Sequence, residues 1–163
     1  MIEFYPFSKF YKYKLNVTND EKNQVKIIMK DKFTTYNQLN ILNVPTLKDL
    51  RKQITDILDK HGLLLNNNFA QRYNKSDRHV VHTHPNSRYS GILYLSSEGT
   101  PTVFYDQWFE SYEQPVEENT LLLFPSYTPH EVRFLTEDED RLVISFNTDM
   151  NPSFRASVDQ HKD

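Results

Sequence analysis

Hydrophobic and polar residues alternate with a period of two along most of the chain from residue 65 onward. Such alternation is typical of β-strands that bury one face. Groups of turn-forming residues, such as Asn74–Asp77 and His84–Ser87, separate the alternating runs. The pattern predicts seven short strands: Asn68–Tyr73, His79–Thr83, Tyr89–Leu95, Thr102–Tyr105, Thr120–Phe124, Glu131–Leu135 and Arg141–Asn147. Their number and even spacing indicate a mainly β fold, either a sandwich or a jelly roll.

The first 64 residues follow a different pattern. Two β-prone runs, Tyr11–Val17 and Val25–Met29, predict two strands separated by a polar turn. Apolar residues then recur every three to four positions over residues 47–61, which predicts a helix with Thr46 as its N-cap and Gly62 at its C-terminal end. We expect this helix to cover the outer face of one sheet.

The length of 163 residues fits a single domain. No internal repeat or low-complexity tract divides the chain. Within the domain we predict supporting strands and a helix over residues 1–64, a jelly-roll core over residues 65–148, and a loose polar tail over residues 149–163.

The composition excludes several kinds of chemistry. The chain has no cysteine, so thiolate zinc sites, iron–sulfur clusters and cysteine nucleophiles cannot form. Its three glycines, Gly62, Gly91 and Gly99, cannot build either of the common glycine-rich phosphate-binding motifs. Histidine, carboxylate or hydroxyl groups must therefore carry any chemistry.

Charge and hydropathy give no signal for a nucleic acid or a membrane as partner. The net charge is −3 and the isoelectric point is about 6.1, whereas nucleic-acid-binding domains are normally basic. No apolar run approaches the ~20 residues that a membrane-spanning helix needs. The first residues also lack the basic and apolar regions of a signal peptide. We expect a cytoplasmic protein.

Histidines in two segments suggest a metal site. On a strand, residues i and i+2 point to the same face, so His82 and His84 are expected to project together, whereas His79 is expected to face the other way. Pro85 ends this strand and places the pair at the rim of a sheet, where functional sites are common. His130, at the start of a later strand, is a candidate third ligand.

The same residues also have simpler explanations. The histidines can be surface polar groups on an exposed strand. Arg141 opens an apolar strand, where a buried guanidinium needs an anionic partner. That partner can be the acidic run Glu137–Asp140 or the carboxylate of a bound ligand, and the residues alone leave both open.

Taken together, the order of these residues resembles the Fe(II)/2-oxoglutarate-dependent dioxygenases, in particular the small oxygenases common in phages and marine bacteria. The resemblance rests on three segments, His82–Leu95 (HTHPNSRYSGILYL), Leu123–Val132 (LFPSYTPHEV) and Arg141–Asn147 (RLVISFN). It covers about residues 66–148 and is specific only in combination. It implies a double-stranded β-helix, or jelly roll, that holds Fe(II) at its open end.

The resemblance also implies an activity and roles for residues. The protein would be a hydroxylase that couples decarboxylation of 2-oxoglutarate to hydroxylation of a C–H bond by O₂. His82 and His130 would be Fe(II) ligands, and Arg141 would bind the far carboxylate of 2-oxoglutarate, assisted by Tyr94 and Ser145. The expected cofactors are Fe(II), 2-oxoglutarate and O₂. The substrate stays open among protein, nucleobase and metabolite, and a phage origin would place the protein in the host cytoplasm.

One position departs from the pattern of the family, because His84 stands where most relatives have aspartate. His84 can itself be the third ligand, Asp106 can supply a carboxylate from a neighbouring strand, or water can fill the position. Asn86 is a weaker candidate. We favour His84, because the H-x-H pair then needs no rearrangement.

Two further functions compete with an oxygenase. A cupin-type metal protein would use the H-x-H pair and the distal histidine without 2-oxoglutarate, but it leaves Arg141 without a role. A non-catalytic jelly-roll module would leave the histidines and Arg141 as coincidences. Among the aromatic residues, Trp108 and Tyr127 are the predicted substrate contacts, because they lie near the rim and outside strict alternation.

Overall fold

The structure is a computed structural model that describes residues 2–5, 8–30, 32–135 and 140–153. Within this part of the chain, two α-helices and ten strands account for most of the regular structure. They are β1 (Ile2–Tyr5), β2 (Ser8–Lys14), α1 (Asn19–Met29), α2 (Lys48–Lys60), β3 (Leu63–Tyr73), β4 (His79–His82), β5 (Tyr89–Tyr94), β6 (Thr102–Tyr105), β7 (Ser111–Gln114), β8 (Thr120–Pro125), β9 (His130–Val132) and β10 (Arg141–Met150).

The described strands form two antiparallel sheets. The larger has the order β1-β2-β8-β5-β10-β3, and the smaller has the order β4-β9-β6-β7. Strands β3 to β10 pair in a nested way, β3 with β10, β4 with β9, β5 with β8 and β6 with β7. This is a long antiparallel hairpin folded over on itself, which is the jelly roll that the sequence predicts. The smaller sheet leaves β4 at an edge, where Val80 and Val81 are exposed.

The predicted strands of the core are confirmed, with small changes at their ends. β3 begins five residues earlier than predicted, at Leu63, and β10 continues to Met150. β7 was not predicted, because its sequence Ser-Tyr-Glu-Gln lacks an apolar alternation and only Gln114 of the four is buried. The strand pairs with β6 instead through its backbone.

The predicted strand Val25–Met29 is wrong, because these residues end helix α1. Thr18 caps the helix, with its Oγ1 accepting from the Glu21 backbone N–H at 3.2 Å. The Glu21 carboxylate in turn accepts from the Thr18 backbone N–H at 2.8 Å. This reciprocal capping box satisfies two N–H groups that the helix leaves unpaired, and it outweighs the β propensity of Val25, Ile27 and Ile28.

The predicted helix near residue 47 is confirmed as α2, but its start differs. A 3₁₀ turn over Pro45–Leu47 precedes α2, and Thr46 makes no capping hydrogen bond there. At the other end Gly62 has φ 65°, which is the left-handed conformation expected for a glycine that follows a helix.

Two hydrophobic cores hold the layers together. Helix α2 packs its buried face onto the outer side of the larger sheet; its contributing residues are Leu50, Ile54, Ile57 and Leu58. A second core lies between the two sheets and is built around Phe10, Phe104 and Phe124, whose rings contact one another at centroid distances of 4.9–6.0 Å. The larger sheet thus buries one face against helix α2 and the other against the smaller sheet, which fixes its position between them.

Parts of the chain that carried sequence predictions lie outside the described residues. These are Glu137–Glu139 of the acidic run and residues 154–163 of the predicted tail. Asp140 is described, and its carboxylate pairs with Arg72 at 2.8 Å and with Lys26 at 3.3 Å. In the described part of the chain, no helix has the length and apolar character to cross a membrane.

Gly91 provides a test of the packing within the larger sheet. Gly91 and Phe146 are paired across β5 and β10, and a Cβ added at Gly91 would lie 2.1 Å from Phe146 Cζ. Phe146 is buried, so its ring cannot move freely away. We predict that Gly91→Ala lowers the free energy of unfolding by about 1–3 kcal/mol, measured by urea denaturation. The double variant Gly91→Ala/Phe146→Leu should lose less than the sum of the two single changes, and additive losses would contradict the packing described.

Candidate metal centre

Three histidines converge at one end of the jelly roll. His82 is the last residue of β4, His130 is the first residue of β9, and the two are directly opposite each other in the antiparallel pairing. His84 lies two residues beyond β4, where its backbone N–H donates to the Ser126 carbonyl at 2.8 Å. Their candidate ligand atoms all lie within 4.8 Å of one another, a spacing at which one metal ion can contact all three.

Backbone carbonyls orient two of these imidazoles. His82 Nδ1 lies 2.7 Å from the Val80 carbonyl oxygen, and His130 Nδ1 lies 2.9 Å from the Thr128 carbonyl oxygen. A carbonyl can only accept, so Nδ1 carries the proton in both rings and Nε2 keeps its lone pair. This arrangement is typical of metal-binding histidines.

Burial keeps the same imidazoles in the neutral form that binds a metal. It lowers the pKa of His84 to about 4, with the nearby His82 adding to the effect. The pKa of His82 is lowered by burial, and that of the deeply buried His130 lies well below its usual value. Protons therefore compete with a metal only at acidic pH.

His79 belongs to the same group of rings, and the prediction that it faces away is wrong. The pairing of β4 with β9 shifts register between His79 and His82, so strict alternation fails here. The two rings stack with centroids 4.0 Å apart. His79 Nδ1 lies 3.3 Å from the Tyr73 hydroxyl and 3.4 Å from Gln71 Nε2. Burial and the neighbouring imidazoles lower its pKa to about 4.

Arg141 lies on the wall of the same cavity and is almost completely buried, with 1% of its surface exposed. Its Nε donates to the Thr100 carbonyl at 2.9 Å and its Nη2 to Thr102 Oγ1 at 2.8 Å, while Nη1 has no hydrogen-bond partner among the described residues. The Tyr73 ring lies beneath the guanidinium at 4.6 Å. Among the described residues no carboxylate pairs with it, and because burial of an unpaired cation is costly, the site favours binding of an anion near Nη1.

The other predicted contacts to 2-oxoglutarate differ in position. Ser145 lines the cavity, and its hydroxyl donates to Gln71 Oε1 at 3.2 Å. Tyr94 is fully buried behind the cavity wall, with its hydroxyl 2.8 Å from Thr102 Oγ1, the same oxygen that Arg141 contacts. Tyr73 is closer to the cavity than Tyr94 and was missed, although its alternation with Phe69 and Gln71 along β3 is visible in the sequence.

The alternative ligands named from the sequence lie elsewhere. Asp106 Oδ1 accepts from the backbone N–H groups of Trp108 at 2.7 Å and Glu110 at 2.8 Å, so this carboxylate closes the turn between β6 and β7. Asn86 is exposed in the turn before β5. Within the described residues, the cluster that can hold a metal consists of His82, His84 and His130 and contains no carboxylate.

The sequence matches no family model, and no curated protein is similar to it. Solved structures do match. The chain resembles a 2OG-Fe(II) oxygenase family oxidoreductase from Burkholderia pseudomallei with a TM-score of 0.56 and 16% identity, over 65% of this chain and 59% of that one. It resembles the viral collagen prolyl hydroxylase of Paramecium Bursaria Chlorella virus-1 with a TM-score of 0.61 and 11% identity, over 85% and 94% of the two chains.

A third similar structure is the prolyl hydroxylase of Trichoplax adhaerens, solved with a peptide fragment of the hypoxia inducible factor oxygen degradation domain. The TM-score is 0.64 and the identity 14%, over 91% of this chain and 86% of that one. At such low identity the likeness establishes the fold. The chain has the jelly-roll fold of the 2OG-Fe(II) oxygenases.

The lowered pKa values predict how stability depends on pH in the metal-free protein. An unfolded histidine has a pKa near 6.5, whereas His79 and His84 have a pKa of about 4 in the folded chain. Below pH 6.5 the unfolded state therefore binds more protons, and stability falls as the pH decreases toward 4. We expect urea midpoints to fall between pH 6.5 and 5 and to stay level between pH 7 and 8. His84→Asn should make the fall shallower, and an unchanged pH dependence in this variant would contradict the prediction.

Proposed function

We propose that this protein is an Fe(II)- and 2-oxoglutarate-dependent oxygenase that hydroxylates a C–H bond. The observation that carries the proposal is the buried guanidinium of Arg141 on the same cavity as the three clustered histidines, with its Nη1 unpaired within the described part of the chain. One cavity thus offers a set of metal ligands and a separate anchor for a carboxylate. The fold agrees with this function but does not by itself specify it.

His82, His84 and His130 are the proposed Fe(II) ligands. Imidazole suits iron, and three ligands on one side leave positions for a cosubstrate and for O₂. When bound, iron would allow O₂ to oxidise both the substrate and 2-oxoglutarate, with one oxygen atom entering the C–H bond and the other entering succinate, which forms with CO₂ from 2-oxoglutarate. The protein orients the ligands through the Val80 and Thr128 carbonyls.

Arg141 is the proposed binding group for the far carboxylate of 2-oxoglutarate. A guanidinium fork donates two parallel charge-assisted hydrogen bonds to a carboxylate, and Nη1, which no described residue contacts by a hydrogen bond, would make one of them. Thr102 and Tyr94 hold the guanidinium from behind, so Tyr94 acts through this contact. Ser145 lies on the cavity wall, where its hydroxyl can reach the cosubstrate.

The surroundings of the metal centre suit a reaction that must exclude water. Phe104 and Phe124 pack against the His130 ring at centroid distances of 5.7 and 4.9 Å. Outside this apolar shell, Trp108 is 66% and Tyr127 64% exposed. Tyr127 follows Ser126, which contacts His84, and Trp108 follows β6, whose end contacts Pro129. We propose both aromatic side chains as contacts to the substrate, which is a protein, a nucleobase or a metabolite.

Anaerobic titration with Fe(II) and 2-oxoglutarate tests this function. We expect a visible metal-to-ligand band from the chelate in the wild-type protein. Arg141→Gln should weaken 2-oxoglutarate binding about 100-fold, because about 3 kcal/mol of charge-assisted hydrogen bonding is lost. His130→Ala should abolish metal binding, and Asp106→Asn should leave the band unchanged.

Circular dichroism of each variant separates loss of binding from loss of the fold. Metal binding without any effect of 2-oxoglutarate would favour a cupin-type protein. Absence of metal binding in the folded wild-type chain would exclude both enzymes and leave a non-catalytic module. Loss of the band in Asp106→Asn would show that Asp106 supplies the third ligand in place of His84.

A further inference from the structure

The cavity of the metal centre is unusual in its charge, because it holds a buried cation and no free carboxylate. Glu131 is the one acidic residue among the described residues that line it. Glu131 follows His130 on β9, so its side chain points to the opposite face of the strand. There its carboxylate accepts from the Tyr105 hydroxyl and shares Arg133 with Glu113, at 3.3 and 2.9 Å respectively. The three candidate ligands are imidazoles, which bind a metal in their neutral form.

The positive charge of a divalent metal ion in this site would therefore be only partly balanced by negative groups. The ion brings two positive charges and Arg141 brings a third, while 2-oxoglutarate, a dicarboxylate, cancels two of them. A carboxylate at position 84 would cancel the remaining charge, and His84 does not. Uncompensated charge in a buried site is costly, so the cavity gains free energy from taking up another negative group.

We propose that this pocket, when it holds a divalent metal ion, binds one further anion in addition to the dicarboxylate cosubstrate. The inference rests on the proposed function and narrows its substrate. The fitting ligand is a small anionic donor group, such as the carboxylate, thiolate, phenolate or enolate of a substrate, or an inorganic anion of similar size. His84 is the residue that determines this preference, because its imidazole occupies a ligand position without adding negative charge.

The two chain segments next to His84 carry no negative charge that would repel an anion. His84 lies in the segment Thr83–Ser87, which contacts the segment Ser126–Pro129 through the hydrogen bond from His84 to Ser126. Neither segment contains an acidic residue. On the facing strands, Asn147 lines the cavity and donates to Asn67 Oδ1 at 3.0 Å, which adds neutral amides to the same rim. An approaching anion therefore meets no carboxylate on these segments.

Azide binding to the Co(II)·2-oxoglutarate form of the protein tests the proposal. Azide is a small anionic metal ligand, and its binding changes the visible absorption of Co(II). We expect azide to bind the wild-type protein about tenfold or more tightly than it binds His84→Asp, because a carboxylate next to the metal removes one unit of positive charge. His84→Gln is the matched neutral comparison for His84→Asp, and it should bind azide more tightly than His84→Asp does.

Equal or tighter azide binding by His84→Asp would overturn the proposal, as would absence of azide binding by the wild type. Co(II) titration first shows that each variant holds the metal. Chloride distinguishes the two sources of the anion: competition with azide assigns the position to an inorganic ion, and lack of competition assigns it to an organic donor group. Failure of the proposed function is a separate result, since the wild-type protein would then bind Co(II) without responding to 2-oxoglutarate.

Discussion

The antiparallel pairing of β4 with β9 is the constraint on which the candidate site depends. It places His82 directly opposite His130, two residues that are 48 positions apart in the chain. The pairing exists because a long hairpin folds over on itself, so that strands distant in sequence meet in the smaller sheet. Two backbone carbonyls then accept from Nδ1 of each imidazole, which leaves Nε2 of both rings with a lone pair for a metal. The site is thus a product of topology more than of local sequence.

Arg141 shows how a jelly-roll wall can carry a buried charge without unfolding. Its planar guanidinium lies over the Tyr73 ring and donates hydrogen bonds to the Thr100 carbonyl and to Thr102 Oγ1. Cation–π contacts and neutral acceptors reduce the cost of burying the charge, but they do not cancel it. Binding of an anionic ligand would offset the remaining free-energy cost of burying this charge. Burial raises the pKa of Tyr73 to about 12. The Tyr73 hydroxyl therefore stays protonated and can donate a hydrogen bond to His79.

Strand alternation predicts the core strands and the shared face of His82 and His84, whereas the family resemblance was needed to join His130 and Arg141 to them. Alternation failed where backbone hydrogen bonding overrides side-chain pattern. The register shift in β4 turns His79 inward, and the polar strand β7 has no alternation to find. Helix α1 was missed although its capping box was visible in the sequence. His84 joins His82 as alternation predicts, although it lies beyond the end of β4, where a hydrogen bond from its backbone N–H to the Ser126 carbonyl holds it.

The position of β4 at the edge of the smaller sheet has a consequence for how the protein changes when a metal binds. A strand of four residues with one neighbour, and with Val80 and Val81 exposed, opens at lower free energy than the central strands. A metal held by His82 on β4 and His130 on β9 would cross-link the two strands. Local unfolding would then require release of the metal, so loading would slow amide hydrogen exchange in β4 far more than in the central strand β10. This edge strand of the jelly roll would thus report whether the site is filled.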